Sequence, residues 1–244
     1  MCLLVIIYLI SKGDVMRKWC ILMALCSLAS AQAKELKNSP IHALAPPSSE
    51  ARAIMPVFSQ LVTFSYPKGF MVAFEEAKNG RYIQESVLQG ESVEQWTQMI
   101  TVTGARDLAT QADVTPLRFT HGLAAGFQRA CPDSYAAKSL GKVTLGGHEG
   151  FVSVISCGRV NAAADAHSES MLAIVIKGER DLYTVQWAER GPASQAPLSL
   201  DHPVWTARLQ QLMPLTLCPK IAGEKPPYPS CLAASSTRTI ATSR

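Results

Sequence analysis

Long apolar runs are absent from this sequence after residue 33. No later stretch approaches the roughly 20 consecutive apolar residues that a transmembrane helix needs, so we expect no membrane span there. Clusters of lysine and arginine are also absent, and the formal net charge of the whole chain is only +4. Dense positive charge is typical of proteins that bind nucleic acids or anionic membranes. The composition therefore favours neither of those partners.

Three chemical signatures are missing as well. The chain has no Cys-x-x-Cys pair and no Gly-x-Ser-x-Gly elbow, which are typical of disulfide oxidoreductases and of one large class of hydrolases. His148-Glu149 begins like the His-Glu-x-x-His motif of zinc proteases, but Val152 stands where the second histidine is required. Glycines on both sides of His148-Glu149 predict a turn instead of the helix that this motif needs.

The N-terminus has the pattern of a secretory signal peptide. A short basic region, Met16-Arg17-Lys18, precedes an apolar run over 19–29 and an Ala-x-Ala cleavage signal over 31–33. This pattern predicts cleavage before Lys34 and a periplasmic or secreted protein. Residues before Met16 fit no part of it, so we expect translation to start at Met16. The alternative is an uncleaved anchor formed by the whole leader, 1–33.

Cysteine usage supports an oxidising compartment. Four of the seven cysteines follow the leader, and an even number in an exported chain predicts two disulfides, with three pairings open. We favour one bridge inside the domain and one that holds the C-terminal segment: Cys131–Cys157 and Cys218–Cys231. The alternative is that some of the four are free, buried thiols.

Turn residues divide the rest of the chain into short strands. Asn79-Gly80 between two apolar runs is a strong hairpin signal because both positions tolerate positive φ. Thr115-Pro116 predicts the start of one helix, and Asp201 the cap of a last helix around Trp205. Strands grouped in hairpins predict an α+β fold with an antiparallel sheet of about six or seven strands flanked by helices. The predicted strands are 60–66, 70–74, 81–88, 99–103, 141–145, 151–157, 171–176 and 182–188.

The same patterns divide the chain into segments. Prolines among small and charged residues predict a flexible lead-in over 34–57, and a single domain follows over 58–218. The proline- and serine-rich end, 219–244, is predicted to be a flexible tail apart from Cys231.

The segment Gly90–Gly104 carries the strongest local signal. Ser92 and Gln95 have the spacing of a capping box, in which each side chain satisfies a backbone donor of the other residue. Trp96 and Met99 continue an apolar stripe at helical spacing, and β-branched residues follow. We predict one or two helical turns leading into a strand, with Ser92, Gln95 and Trp96 as structural anchors.

Several of these segments together resemble the PsbP-like fold. They are Tyr66-Pro67-Lys68-Gly69-Phe70, the Gly90–Gly104 segment, the turn 147–151, the strand pair 171–188 and the final helix around Trp205. An extrinsic photosystem protein, a nuclear-import factor and many exported bacterial proteins share that fold. The resemblance implies an α/β/α sandwich and a binding or assembly role. It implies no catalytic residues, because the fold has no shared catalytic set.

Two chemical alternatives remain open from the residues alone. In a secreted hydrolase, Cys157 would act as nucleophile with His148 or His121 as its base. In a periplasmic metal-binding protein, Asp165, His167 and Glu169 would be the ligands. The competing interpretations are a disulfide cysteine and a solvated polar loop.

We therefore predict an exported, non-enzymatic binding or assembly protein without a cofactor. Its expected partner is an envelope or extracellular protein. Trp96, Trp187 and Trp205 are expected in the core, with a ligand groove as the alternative.

Overall fold

The computed structural model describes residues 51–160 and 166–232. The predicted leader, most of the predicted lead-in, Asp165 and the end of the predicted tail lie outside the described residues.

Strands dominate the described chain, which confirms the predicted α+β class. Its elements are β1 (Arg52–Val57), β2 (Gln60–Ser65), β3 (Phe70–Lys78), β4 (Arg81–Leu88), β5 (Gln98–Ala105), a 3-10 turn (Leu108–Thr110), α1 (Pro116–Ala130), β6 (Tyr135–Leu145), β7 (His148–Val160), β8 (His167–Lys177), β9 (Leu182–Pro192), α2 (Val204–Leu212) and β10 (Thr216–Pro219).

Seven strands form one antiparallel sheet in the order β3-β4-β5-β9-β8-β7-β6. Their number matches the six or seven predicted. The predicted hairpin is also present: Asn79 (φ 52°) and Gly80 (φ 72°) join β3 to β4. Positive φ at both positions matches the twist of the two strands, which explains why this dipeptide occurs there.

A second, three-stranded sheet has the order β1-β2-β10. Its strand β1 corrects the prediction that 34–57 is a flexible lead-in, because the last six residues of that range pair with β2. Pro56 was one reason for predicting flexibility. Proline is tolerated in a strand at the edge of a sheet, and β1 pairs on one side only.

Apolar side chains on the two faces of the large sheet form two cores. On the face covered by α1, called the helix face, the core contains Val87, Trp96, Met99, Leu123, Phe127, Ile155, Met171, Val175 and Ala188. On the opposite face the small sheet and α2 supply Val57, Phe64, Leu209, Leu212 and Leu217, which pack with Ile100, Val154, Ile174, Val185 and Trp187. All three tryptophans that follow the leader are buried in these cores.

A buried carboxylate ties the small sheet to the large one. Asp181 lies before β9 and accepts hydrogen bonds from the Ser59 backbone N–H (3.0 Å) and hydroxyl, the Asp107 N–H (2.7 Å) and the Tyr183 hydroxyl (3.1 Å). Burial alone would raise the pKa of Asp181, but these donors favour the charged form and hold the pKa below its usual value. The turn before β9 is therefore held by charge-assisted hydrogen bonds from Ser59, Asp107 and Tyr183.

Helix α1 begins as predicted. The Thr115 hydroxyl accepts from the Arg118 backbone N–H at 3.1 Å, and Pro116 occupies the first helical position. Leu123 and Phe127 face the core. A Cβ placed at Gly122 on this helix meets nothing within 4 Å. Gly122 is therefore a glycine without a packing role.

The predicted helical turns in Gly90–Gly104 are absent. Residues 91–97 form an irregular turn, and strand β5 starts at Gln98. Half of the capping box is present: the Ser92 hydroxyl accepts from the Gln95 N–H at 3.2 Å. The other half fails because the Ser92 N–H donates to the Gln95 backbone carbonyl (3.0 Å), so the pair closes a turn instead of starting a helix. Trp96 is buried as the predicted anchor between turn and strand.

Helix α2 starts without the predicted Asp201 cap. Asp201 instead forms an ion pair with Lys138, and the His202 ring nitrogen Nδ1 accepts from the Val204 N–H at 3.2 Å. In the described residues no helix is long and apolar enough to cross a membrane.

Two disulfides close the fold in the pairing that the sequence favoured. Cys131–Cys157 joins the end of α1 to β7, with Cα atoms 5.7 Å apart. Cys218–Cys231 joins β10 to the middle of the predicted tail, 219–244, with Cα atoms 5.6 Å apart. Cys231 is buried against Leu61, so the chain packs on the small sheet beyond 219.

Candidate functional site

The residues proposed for a hydrolase do not meet. The Cys157 sulfur is bonded to Cys131, so it carries no thiol. His148 lies at the opposite end of β7, nine residues and roughly 30 Å away along the strand. His121 is exposed on α1. The hydrolase hypothesis therefore loses its nucleophile and its base.

Of the residues proposed for a metal site, Glu169 is engaged in another contact. Asp165 lies outside the described residues. Glu169 is buried in β8, where its Oε1 accepts from the Arg190 Nε at 3.2 Å. Among the residues that the structure describes, no three or more His, Cys, Asp or Glu side chains are grouped to hold a metal ion.

Arg190 organises the turn around Trp96. Its guanidinium carbon lies 3.9 Å from the centre of the Trp96 ring, and its Nη1 donates to the Glu94 carbonyl at 3.3 Å. With the Glu169 ion pair, these contacts engage the guanidinium through two of its five N–H donors and through one ring face. The cluster fixes the turn 91–97 on the sheet.

Among the residues that the structure describes, the largest group of exposed apolar side chains lies on strand β3. Met71 is 56% exposed, Val72 53% and Phe74 37%. The pairing of β3 with β4 shifts by one residue between Val72 and Phe74, which places Met71 and Phe74 on the helix face and Val72 on the opposite face. Exposed apolar patches on a folded protein typically mark interaction sites.

Strand β3 is also an edge strand. It hydrogen-bonds to β4 on one side, and no other described strand pairs with its second side. An unpaired edge presents a row of backbone donors and acceptors to any extended chain that approaches. Backbone and side chains of β3 are therefore both available for contact.

A buried carboxyl group lies one strand inside this edge. Glu85 on β4 stands opposite Phe74 on one side and Thr101 on the other. It is only 3% exposed, and its Oε2 has no hydrogen-bond partner. Burial raises the pKa of Glu85 to about 7. A carboxyl group buried without a partner is costly and often marks a functional position.

Sequence reasoning missed both features. It predicted a strand over 70–74 and another over 81–88, but strand order is not encoded locally. Two signals were available in the sequence. The run Phe70–Phe74 does not alternate between apolar and polar residues, as a strand with one buried face does. In β4, Glu85 stands between Ile83 and Val87 on one face.

No protein-family model matches the chain, and no curated protein is significantly similar to it. Among solved structures, the chain is similar to the Ran-binding protein Mog1p of Saccharomyces cerevisiae, with a TM-score of 0.40 and 12% identity over 68% of this chain and 95% of that one. It is also similar to LpqN of Mycobacterium tuberculosis, which is involved in cell envelope biogenesis (TM-score 0.35, 11% identity, 69% and 91% covered). A third similar structure is a mutant of the protein Mog1 (TM-score 0.33, 14% identity, 63% and 80% covered).

Proposed function

We propose that this chain is an exported, non-enzymatic protein of PsbP-like fold that binds an envelope or extracellular protein through strand β3. An extended segment of the partner would pair with the open side of β3 and extend the large sheet by one strand. Strand addition of this kind supplies affinity through backbone hydrogen bonds and specificity through side chains.

The observation that carries the proposal is the combination of an open edge with exposed apolar side chains. Natural edge strands are usually protected by charges, bulges or short length. Strand β3 spans nine residues, and its first half is apolar and exposed. A surface of this kind favours association with another chain.

The opposite edge of the sheet provides the contrast. Strand β6 has Lys142 exposed and Lys138 paired with Asp201, and its register shifts between Ser139 and Gly141. Charged side chains and bulges discourage edge-to-edge pairing. Strand β3 also has a register shift and carries Glu75, Glu76 and Lys78, but it exposes the apolar run 71–74, whereas β6 has no large exposed apolar side chain. For this reason β3 is the docking edge that we propose.

Export is supported by the predicted signal peptide, 16–33, and by the two disulfides, since stable disulfides are characteristic of oxidising compartments. A binding role is favoured over the hydrolase because Cys157 has no thiol.

Site-specific photo-crosslinking in the cells that produce the protein tests the proposal. A photoreactive amino acid is placed at Val72 on β3, or at exposed Thr144 on β6 as the matched edge control. We expect one reproducible cross-linked protein from position 72 and none from position 144. Equal cross-linking from both edges, or none from position 72, would contradict the proposal.

A second pair of variants tests the apolar contact. Met71→Lys adds a charge to β3, whereas Ile221→Lys changes a residue of similar exposure (51%) outside the large sheet. Met71→Lys should abolish the cross-link from position 72, and Ile221→Lys should leave it unchanged. Both variants should keep the wild-type melting temperature, because exposed substitutions rarely change stability by more than about 0.5 kcal/mol.

A further inference from the structure

We propose that the segment that pairs with β3 carries a lysine or arginine whose side chain pairs with Glu85. This inference rests on the proposed function and specifies its partner: an extended segment in which apolar and basic residues alternate.

Glu85 belongs to one row of residues that crosses the sheet on the helix face. Phe74, Glu85, Thr101 and Gln186 stand directly opposite one another on β3, β4, β5 and β9. Gln186 donates to Thr184 within β9 (2.8 Å), so its amide group is engaged there. Glu85 is the acidic member of the row and lies one strand inside Phe74, which is at the open edge.

Among residues 51–160 and 166–232, no cation forms an ion pair with Glu85. Lys78 and Arg81 lie at the tip of the β3–β4 hairpin, four residues or roughly 13 Å along β4 from Glu85. Two further cations on the helix face are engaged: Arg190 by Glu169, Trp96 and the Glu94 carbonyl, and Lys177 by the Val114 carbonyl at 2.8 Å.

The remaining charges near the edge are acidic. Glu76 is exposed on β3, on the same face as Phe74 and two residues further along. Glu75 lies on the opposite face, where its Oε1 accepts from the Tyr82 hydroxyl at 2.8 Å. A basic side chain arriving at this row would therefore meet two carboxyl groups, and the cations of the hairpin, Lys78 and Arg81, lie beyond Glu76 at its tip.

The distances allow such a side chain to reach Glu85. An added strand would lie about 4.8 Å from β3, and therefore about 9.6 Å from β4. An extended arginine or lysine together with the glutamate side chain spans that separation. The basic side chain would cross the Phe74 ring, which is 37% exposed and offers a face for a cation.

The same geometry sets the pattern of the segment. Residues of the added strand on the face opposite to the helix face would be apolar, because Val72 lies on that face and exposes more than half of its surface. Residues that face Phe74 and Glu76 would be basic. A positive charge beside Glu85 would also favour its ionised form, which the protein by itself disfavours by burial.

Binding of three synthetic peptides to the full exported protein tests the inference. They are blocked peptides of equal length that alternate valine with lysine, glutamine or glutamate, and their dissociation constants are measured by calorimetry. We expect the lysine peptide to bind at least tenfold more tightly than the glutamate peptide. Glu85→Gln should remove most of this preference, and Glu149→Gln, an exposed control on β7, should preserve it.

A second test measures the dissociation constants of the same peptides with the unaltered protein at about pH 5 and about pH 8.5. This test does not require any variant to fold. The preference should be weaker at the lower pH, where Glu85 is protonated, since lysine stays charged at both values. An unchanged preference in Glu85→Gln at equal stability, no preference among the peptides, or no binding of any of them would each overturn this inference. The proposed function fails separately, by loss of the cross-link at position 72.

Discussion

Two buried carboxyl groups in this structure, Asp181 and Glu85, differ in their hydrogen-bond donors and in the direction of their pKa shift. Asp181 has four hydrogen-bond donors around it, and its pKa is lowered. Glu85 has an oxygen without any donor, and its pKa is raised to about 7. The first group stabilises the fold in its charged form, and the second is compatible with the fold mainly in its neutral form.

Asp181→Asn should lower the free energy of unfolding at pH 7 by about 2–4 kcal/mol, because it removes charge-assisted hydrogen bonds from buried donors. Since the folded pKa of Asp181 is depressed, its stabilisation is complete above the unfolded pKa of about 3.9 and is lost as the pH falls through the folded value. Urea unfolding at pH 7 and in acid measures both effects. The matched control, exposed Asp113→Asn, should change stability by less than about 0.5 kcal/mol. A variant as stable as the wild type at pH 7 would refute this account of the turn.

Glu85 should show the reverse pH dependence. Its folded pKa of about 7 lies above the unfolded value of about 4.3, so its contribution is complete below about pH 4 and is lost as the pH rises through 7. Glu85→Gln should therefore be more stable than the wild type at pH 8, by up to roughly 3 kcal/mol, and nearly equal to it near pH 4. Chemical unfolding across that range measures the difference. Parallel pH profiles of the two proteins would show that Glu85 is not responsible.

At the scale of elements, the contact between the two sheets depends on a glycine. Gly104 lies on β5, where a Cβ would come within 2.5 Å of the Val57 Cγ1 atom on β1. The first strand can therefore pack closely on the large sheet only if β5 has no side chain at that position. Gly122 on α1 is the opposite case, with open space around it.

Replacing each of these glycines with alanine should shift stability in opposite directions. Gly104→Ala should destabilise by about 1–3 kcal/mol, because a buried contact becomes overpacked. Gly122→Ala should stabilise by about 0.5–1 kcal/mol, because alanine loses less backbone entropy in a helix. Thermal and urea unfolding of both variants, measured together, provide the comparison. A neutral Gly104→Ala would mean that β1 can move away from β5 without cost.

For the whole molecule, the two disulfides hold segments that distant pairing has brought together. Cys131–Cys157 closes a chain separation of 26 residues across the helix-face core, and Cys218–Cys231 closes 13 residues at the edge of the small sheet. In the chain-entropy model the larger loop contributes about 3.5 kcal/mol and the smaller about 2.9 kcal/mol.

Double alanine variants of each bridge should reproduce that order in urea unfolding, with the loss of Cys131–Cys157 costing more. Intact mass with thiol alkylation provides the direct check on the bridges themselves. The exported protein should show no alkylated cysteine at these four positions before reduction and four after it. Alkylation of Cys157 without reduction would contradict the pairing and restore the hydrolase hypothesis.

Much of the local structure followed from the sequence. Asn79-Gly80, the Thr115 cap with Pro116, and the strand that contains Ile174 depend on backbone preferences and side chains within a few residues. Ser92 and Gln95 show where this reasoning ends, because the same two residues can close a turn or start a helix. The protein adopts the turn 91–97. In this turn Trp96 is buried and contacts Arg190, which lies far along the chain.

The sequence by itself determined the class of fold and the hairpins, because turns and periodicity are local properties. It left three cysteine pairings open, and the structure has the one that was favoured. Only the tertiary structure decided that β1 joins a separate sheet, that β3 lies at an open edge, and that Glu85 shares a row with Phe74 and Gln186. These features depend on which distant strands pair and in which register. Because side chains alternate between faces, a shift of one residue would move Glu85 to the other side of the sheet.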